Sequence, residues 1–479
     1  MTETTTDDRL DRSTILALVA MALAVLIVAN DFTAFSVALP AMEKDLDSDL
    51  STIQWVVNAY GLVFGVMIVT GGRLADMFGR RSIFFAGAGI FAGFSLLGGV
   101  GQSDIWVIAC RALMGIGGAM MWPAILGMTY DILPESKAGL AGGLILGAAG
   151  FGNAIGPLIG GGLAQVSWRW IFFLNIPIAA IGVLATLRAI KPDAPAGDRA
   201  KIDYPGIATL SVGLVLIMIG LDQSSAWGLD DPRVLALMIL GALLVVSFVF
   251  VERRAGEAAL VPGSVIGNPN FRAACLSVLL MSAVFFAALL FLPQFMTKSL
   301  GYDTLKAGAG LLPMMVTFAA VSFMAGPLYG RLGAKVVVSG GAAFITVGIF
   351  LLSRIESGDD YSALIVGMIV LGAGIGFFYS SVTTAAVTAL DPSQASLAGG
   401  IVYMFQVAGG VVGLAVNTAI VTSDTGGSIA EFVEGISNAF TIDAILALLG
   451  LLVAIVFVGG RMSAEQLRAH QPHLHRAHG

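Results

Sequence analysis

Charge is scarce in this sequence. Asp, Glu, Lys and Arg make up 12% of its 479 residues, against about 25% in a soluble domain. A chain with 57% apolar residues and a mean hydropathy of +0.90 cannot clothe a water-soluble particle of its size. Cysteine is nearly absent. Cys110 and Cys275 both sit in apolar runs, where a lone thiol behaves as a small buried hydrophobe, so no disulfide is expected. Histidine is confined to the C-terminal tail, at His470, His473, His475 and His478. None of these can relay protons inside the apolar part, and the tail reads as a disordered end rather than a metal site. No GxxxxGK[ST] loop for nucleotide phosphates occurs, so ATP does not drive this protein and no cofactor is expected. No basic tract interrupts a net charge of −6, which argues against nucleic acid. The first apolar run is too long for a secretory signal, and none is expected. Nor is there an intramembrane His/Cys/Asp cluster for metal or nucleophilic chemistry, which excludes a membrane enzyme.

What remains is hydrophobic sequence in long runs. Fourteen lie near 13–40, 52–74, 82–101, 105–130, 138–165, 168–189, 204–222, 233–251, 271–297, 305–329, 336–354, 361–389, 395–422 and 438–460. Each is close to the roughly 20 residues that span a bilayer as a helix. The fold class is an all-α polytopic membrane protein. An even count puts both termini on one side. Of the 25 Lys and Arg residues, 18 fall on that side if the loops alternate, six fall on the other, and Arg111 lies within a span. Basic residues favour the cytoplasmic side, so both termini are expected in the cytoplasm of a cell whose plasma (inner) membrane the chain crosses.

The loops hide a repeat. GRLADMFGRR (Gly72–Arg81) aligns without gaps on GPLYGRLGAK (Gly326–Lys335), pairing Gly72 with Gly326 and Gly79 with Gly333 at an offset of 254. AGLAGG at Ala138 matches ASLAGG at Ala395 at an offset of 257. These offsets cover eight spans rather than six. Two related six-helix bundles, 1–190 and 271–461, with an inserted helix pair and its linkers over 191–270 and a cytoplasmic tail over 462–479, fit that spacing. Six-helix repeats with a substrate site between them are a known transporter plan.

Within the first run, VLIVANDFTAFSVALP (Val25–Pro40) carries Asn30 and Asp31. A carboxylate there costs roughly 2.5–3.5 kcal/mol on insertion scales. It is either a titrating acid or a helix-packing acid satisfied by Asn30 or Thr33. Arg111, the one basic residue deep in a span, needs an anionic or carbonyl partner. It either tunes the site of Asp31 or binds backbone carbonyls. Asp222 and Asp443 are further acids, placed near outer helix ends.

These residues resemble a family. GRLADMFGRR matches the loop signature G-x-L-x-D-x-x-G-R-[RK] of the major facilitator superfamily. In the fifth span, Gly143, Gly152, Gly156, Pro157, Gly160 and Gly161 fit the antiporter signature G-x8-G-x3-G-P-x2-G-G. WRWIFFLNIPI (Trp168–Ile178) is similar to the entry into the sixth helix, and Asp31, Thr33, Ala38, Leu39 and Pro40 follow the first-helix pattern. The chain resembles the fourteen-helix drug:proton antiporter branch through Arg461. It differs from it at Asn30, Phe35 and Ser36, and at Met114, where the family carries Gln. The resemblance implies a proton-coupled multidrug exporter working by alternating access. Its cargo would be amphiphilic or lipophilic, and cationic compounds are included. Export of a lipid, siderophore or other metabolite on the same fold is the first alternative, and a non-transporting sensor or scaffold the second.

The residues and the resemblance together assign candidate roles. Asp31 and Arg111 would couple protons. Gly72, Asp76, Gly79, Arg80, Arg81 and Asp131 would latch and release the two bundles, with Asp76 facing a helix N-terminus and Arg80 pairing with Asp76 or Asp131. Gly152, Gly156, Pro157 and Gly160 would make the fifth helix close-packed and bendable. Candidates for an apolar, aromatic substrate cavity are Phe35, Asn58, Asn153, Phe285, Phe286, Phe377, Phe378, Tyr379 and Gln406. The expected partners are a small-molecule substrate, protons and membrane lipids, with the protein a monomer.

Overall fold

A computed structural model describes residues 11–48, 50–133, 137–192, 203–228, 230–256, 259–423 and 428–458. Most of the linker over 191–203, and the tail with its four histidines, lie outside the described residues. Among the described residues there are helices and no strands, and 14 helices are long and apolar enough to cross a membrane. We number these α1 (Arg12–Asp45), α2 (Trp55–Phe78), α3 (Arg80–Gly99), α4 (Asp104–Ile132), α5 (Ala138–Ala164), α6 (Arg169–Ala189) and α7 (Tyr204–Trp227). The remainder are α8 (Pro232–Ala255), α9 (Pro269–Lys298), α10 (Leu312–Leu332), α11 (Ala334–Leu352), α12 (Tyr361–Thr388), α13 (Ala395–Ser423) and α14 (Ile429–Phe457).

Local chemistry explains where the helices begin and turn. Asp11, Ser103, Asp231, Asn268, Asp360 and Ser428 each accept a hydrogen bond from a first-turn amide, satisfying donors that a helix start leaves free. Ser428 and Glu431 form a reciprocal capping box, which starts α14 well before the near-438 boundary that hydropathy suggests. Asp443 is therefore in the middle of its helix, not near its outer end. Single glycines join α2 to α3 and α10 to α11. Gly79 has φ 99° and Gly333 has φ 80°, a region that side chains with a Cβ avoid. Both ends of the detected repeat thus use the same backbone device.

Packing follows the repeat. In the first half α1 packs on α5 and α6, and α4 on α2 and α3; in the second, α9 packs on α13 and α14, and α12 on α10 and α11. The halves meet along two seams, α2 against α13 and α5 against α10. The inserted α7 and α8 pack mainly on each other, with α7 also touching α2 and α13. The outer face of α8 exposes Leu235, Ile239, Leu243, Val246 and Phe250, as a lipid-facing helix should.

Candidate functional site

Asp31 and Arg111 are both fully buried and form an ion pair. Asp31 also accepts a hydrogen bond from Asn175 Nδ2 of α6 at 2.8 Å, and the same amide reaches Ser95 Oγ at 3.1 Å. Arg111 Nε donates to the Val56 carbonyl at 2.7 Å. The Phe35 and Tyr60 rings lie 4.3 and 4.2 Å from its guanidinium carbon, so two aromatic faces replace part of its lost hydration. Arg111 therefore meets both the acid and a backbone carbonyl. Its Nη2 has no hydrogen-bond partner among the described residues. Asn30 and Thr33 do not satisfy Asp31: the Thr33 hydroxyl faces the Asn30 and Asn153 carbonyls instead.

The glycines of α5 position this pair. A Cβ on Gly152 would come within 2.7 Å of the Leu26 carbonyl, and Cβ atoms on Gly156 and Gly160 would overlap Thr33 and Ala34. They let α5 lie directly against the α1 segment that carries Asp31. Gly139, Gly143, Gly147 and Gly150 do the same against Gly326, Ser322, Phe323 and Phe318 of α10. One helix thus packs beside the Asp31–Arg111 pair with one stretch and forms a seam with the other. It runs unbroken through Pro157.

Asp76 and Arg80 lie on the seam between α2 and α13. Asp76 Oδ2 accepts from the Leu397 amide at 2.8 Å and Oδ1 from the Ser396 amide at 3.3 Å, so a first-half carboxylate caps the start of a second-half helix. Arg80 Nε binds Asp76 Oδ1 at 3.0 Å, and its other nitrogens reach Asp131, the Gly127 carbonyl and, at 2.5 Å, the Pro392 carbonyl. Pro392 belongs to a short turn capped by Asp391. Hydrogen bonds from the Ser393 hydroxyl and amide hold that carboxyl below the usual range. Gly72 permits the approach, since a Cβ there would come within 2.7 Å of the Ser396 carbonyl. Arg81 is not on this seam: it donates to the Leu187 carbonyl at the end of α6 and lies over Phe85.

A cavity of about 870 Å³ opens between the halves, a size that suits a drug-sized molecule. Asn58, Asn153, Phe285, Phe286 and Gln406 line it; Phe35, Phe377, Phe378 and Tyr379 are not among its lining residues. Phe35 packs on Phe172 and Arg111. Phe377 faces Phe344, and the Phe378 backbone packs on Gly341. Tyr379 is buried with its hydroxyl 3.0 Å from Ser282. Three consecutive aromatic positions, Phe377 to Tyr379, on a buried helix cannot all point one way, which the sequence pattern alone does not resolve. Sequence reasoning missed Trp55, Trp122, Phe318 and Tyr403, which line the cavity, and Asn175 beside Asp31. Asn175 sits in the quoted WRWIFFLNIPI stretch, the one signal that pointed to it. No charged side chain occurs among the described lining residues. The Asp222 side chain lies outside the described residues.

The Asp31–Arg111 pair stands behind this cavity, not in it. Ala29 and Thr33 of α1 line the cavity, while Asp31 points the other way. Tyr60 and Phe64 stand between: Tyr60 contacts Arg111, and Phe64 contacts Trp122 and Tyr403 at 6.3 and 5.4 Å.

Comparison with known proteins agrees with this architecture. The family model described as Major Facilitator Superfamily matches residues 21–414 and 274–475. The chain is 33% identical to the puromycin resistance protein pur8 of Streptomyces alboniger, over 92% of this chain and 88% of that one. It is 31% identical to the tetracenomycin C resistance and export protein of Streptomyces glaucescens, over 85% and 76%. It is also 31% identical to the cephamycin export protein CmcT of Amycolatopsis lactamdurans, over 88% of each. The crystal structure of the human organic anion transporter MFSD10 superposes with a TM-score of 0.65 at 15% identity, covering 92% of this chain and 99% of that one. Two helical halves, their pseudo-repeated seams and the cavity between them therefore have one reading: the chain is a multi-pass membrane transporter that belongs to the major facilitator superfamily.

Proposed function

We propose that the protein is a proton-coupled exporter of amphiphilic, aromatic, drug-like compounds, working by alternating access. The buried Asp31–Arg111 pair carries this reading. Protonating Asp31 would leave a guanidinium buried without its anion, a loss of about 3–5 kcal/mol for a broken buried pair. A proton on Asp31 thus disfavours the present packing of α1, α4 and α6, and its departure restores it. That is what an ion gradient needs in order to act on a conformational equilibrium.

The distribution of basic residues supports placing the termini, and with them the Asp76–Arg80 seam, on the cytoplasmic side of the plasma membrane. The cavity extends from Trp122 and Tyr403 to Trp55, Gly228 and Ala419, at the opposite face. The conformation is then closed inside and faces out. One chain supplies both seams and the cavity wall, which supports a monomer as the working unit, with lipid against α8.

The lining supports one class of cargo. Trp55, Trp122, Phe285 and Tyr403 offer flat apolar surface, and Asn58, Asn153 and Gln406 offer neutral hydrogen bonds. With no described charge to pair a fixed cation, uncharged aromatic amphiphiles are the favoured class. The names of the relatives, which concern puromycin, tetracenomycin C and cephamycin, support antibiotic-like cargo. In proteoliposomes, an imposed pH gradient should drive a neutral aromatic antibiotic at least about tenfold faster than a quaternary ammonium dye, a difference of about 1.4 kcal/mol. Equal rates would overturn the neutral class. Lipid transfer with no drug flux would instead favour a lipid exporter.

A further inference from the structure

The second half holds a buried acid far along the chain from the Asp31–Arg111 pair. Asp443, in the middle of α14, is 0% exposed. Unlike Asp31 it has no basic partner among the described residues. One group serves it: Asn417 Nδ2 of α13, 3.1 Å from Oδ1 and 2.9 Å from Oδ2. Asn417 is itself 1% exposed, and its Oδ1 finds no hydrogen-bond donor.

The elements packed on α14 are α9, α11 and α13. Their charged residues are Arg272 in the first turn and Lys298 in the last residue of α9, and Lys335 in the first turn of α11. α13 carries none. The other titratable groups on these helices are Cys275 of α9 and Tyr403 of α13, both neutral, and on α14 itself Glu431 and Glu434 lie near its start. Nothing there offsets an ionised carboxylate in a dry interior, which costs several kcal/mol even after relaxation. A single amide donor shared between two oxygens does not repay that.

A proton resolves both irregularities. The neutral acid removes the unpaired charge, and once the amide, whose Nδ2 spans both carboxyl oxygens, turns toward one of them, its O–H would supply the donor that Asn417 Oδ1 lacks. We infer that Asp443 is a second proton-carrying site, protonated in this conformation while Asp31 is ion-paired. The inference rests on the antiport reading for its role in transport. The site is placed to sense transport, because the residue after Asn417 is Thr418, which lines the cavity. The start of the same helix is the one Asp76 caps. A shift of α13 that opens the capped seam would also draw Asn417 from Asp443, admit water to the carboxyl and let the proton leave.

Infrared spectroscopy of the purified protein tests the protonation directly. At neutral pH, Asp443→Asn should remove a protonated-carboxyl C=O band that Asp31→Asn leaves in place. Asn417→Ala should keep that band and shift it upward, as an acid carbonyl losing its amide donor does, and this second variant serves if Asp443→Asn folds poorly. An unchanged spectrum in both variants overturns the proposal. In proteoliposomes, Asp443→Asn should still export but with a lower proton-to-substrate ratio than the wild type; an unchanged ratio removes Asp443 from the cycle. If the wild type moves no protons with substrate, the antiport reading falls and the transport role of Asp443 falls with it. The infrared band still decides on its own whether the carboxyl is protonated.

Discussion

The two seams share a backbone and differ in charge. In one, Gly72 of α2 lies against Ser396 of α13; in the other, Gly326 of α10 lies against Gly139 of α5. The offsets of 254 and 257 residues relate all four positions, so the close approach is repeated. The charges are not. Where the first seam has Asp76 and Arg80, the second has Gly330 and Ala334. The polar contact across the halves beside it, near Gly142 of α5, is the neutral pair Tyr130 of α4 and Thr384 of α12, at 3.0 Å. The same holds deeper. Gly152 meets the Leu26 carbonyl and Gly409 meets the Leu279 carbonyl, which maps Asp31 onto Val284. The repeat keeps the geometry that lets helices touch, while the ion pairs across or beside the seams lie in the first half. One seam carries charged side chains across it and the other is a plain contact.

The largest effects should come from the shared geometry. Gly72→Leu and Gly326→Leu each drive a side chain into an opposing backbone, and each should abolish export in a cell-based efflux assay while the protein still reaches the membrane. If one tolerates Leu, the backbone equivalence of the seams is wrong. Next comes the latch. Asp76→Ala removes the cap on α13 and leaves Arg80, 8% exposed, short of an anion. We expect about 2–3 kcal/mol toward the state open on that side, combining a lost cap and a lost partly buried ion pair. Spin-label distances across the seam would show it, whereas Gly330→Ala at the mapped position should change nothing.

Building the latch where it is missing sharpens the comparison from the other direction. Gly330→Asp with Ala334→Arg should slow turnover by holding the second seam shut, by about 1 kcal/mol for a half-exposed pair. The weakest effect is expected at Asp131. Its side chain is 50% exposed, so Asp131→Asn should cost under about 1 kcal/mol and be masked by raised salt.

Much of this was legible in the sequence, and particular residues show why. The span count, the repeat and the charged contact of Asp76 and Arg80 rest on composition, glycine spacing and a charged motif, all of which are local. Asp31 and Arg111 stood out because any deep charge in an apolar run demands a partner, yet only packing shows that each is the other's. The cavity was less legible. Asn58, Asn153, Phe285, Phe286 and Gln406 line it while Phe35, Phe377, Phe378 and Tyr379 do not, because a helix that packs on all sides lacks the one-sided periodicity that would assign its faces. Trp122 and Tyr403 come together at 4.7 Å from opposite halves, a meeting that no local pattern encodes.

If Asp31 carries a coupling proton, substrate must move protons, and substrate-driven proton movement reads this. With the wild type in liposomes holding a pH-sensitive dye and no imposed gradient, adding a transported neutral aromatic to one side should change the pH on the other. Asp31→Asn, which keeps a hydrogen-bonding group of the same shape but cannot take up or release the proton, should still bind the compound and produce no such change. An undiminished pH response in Asp31→Asn would mean that the coupling proton is carried elsewhere.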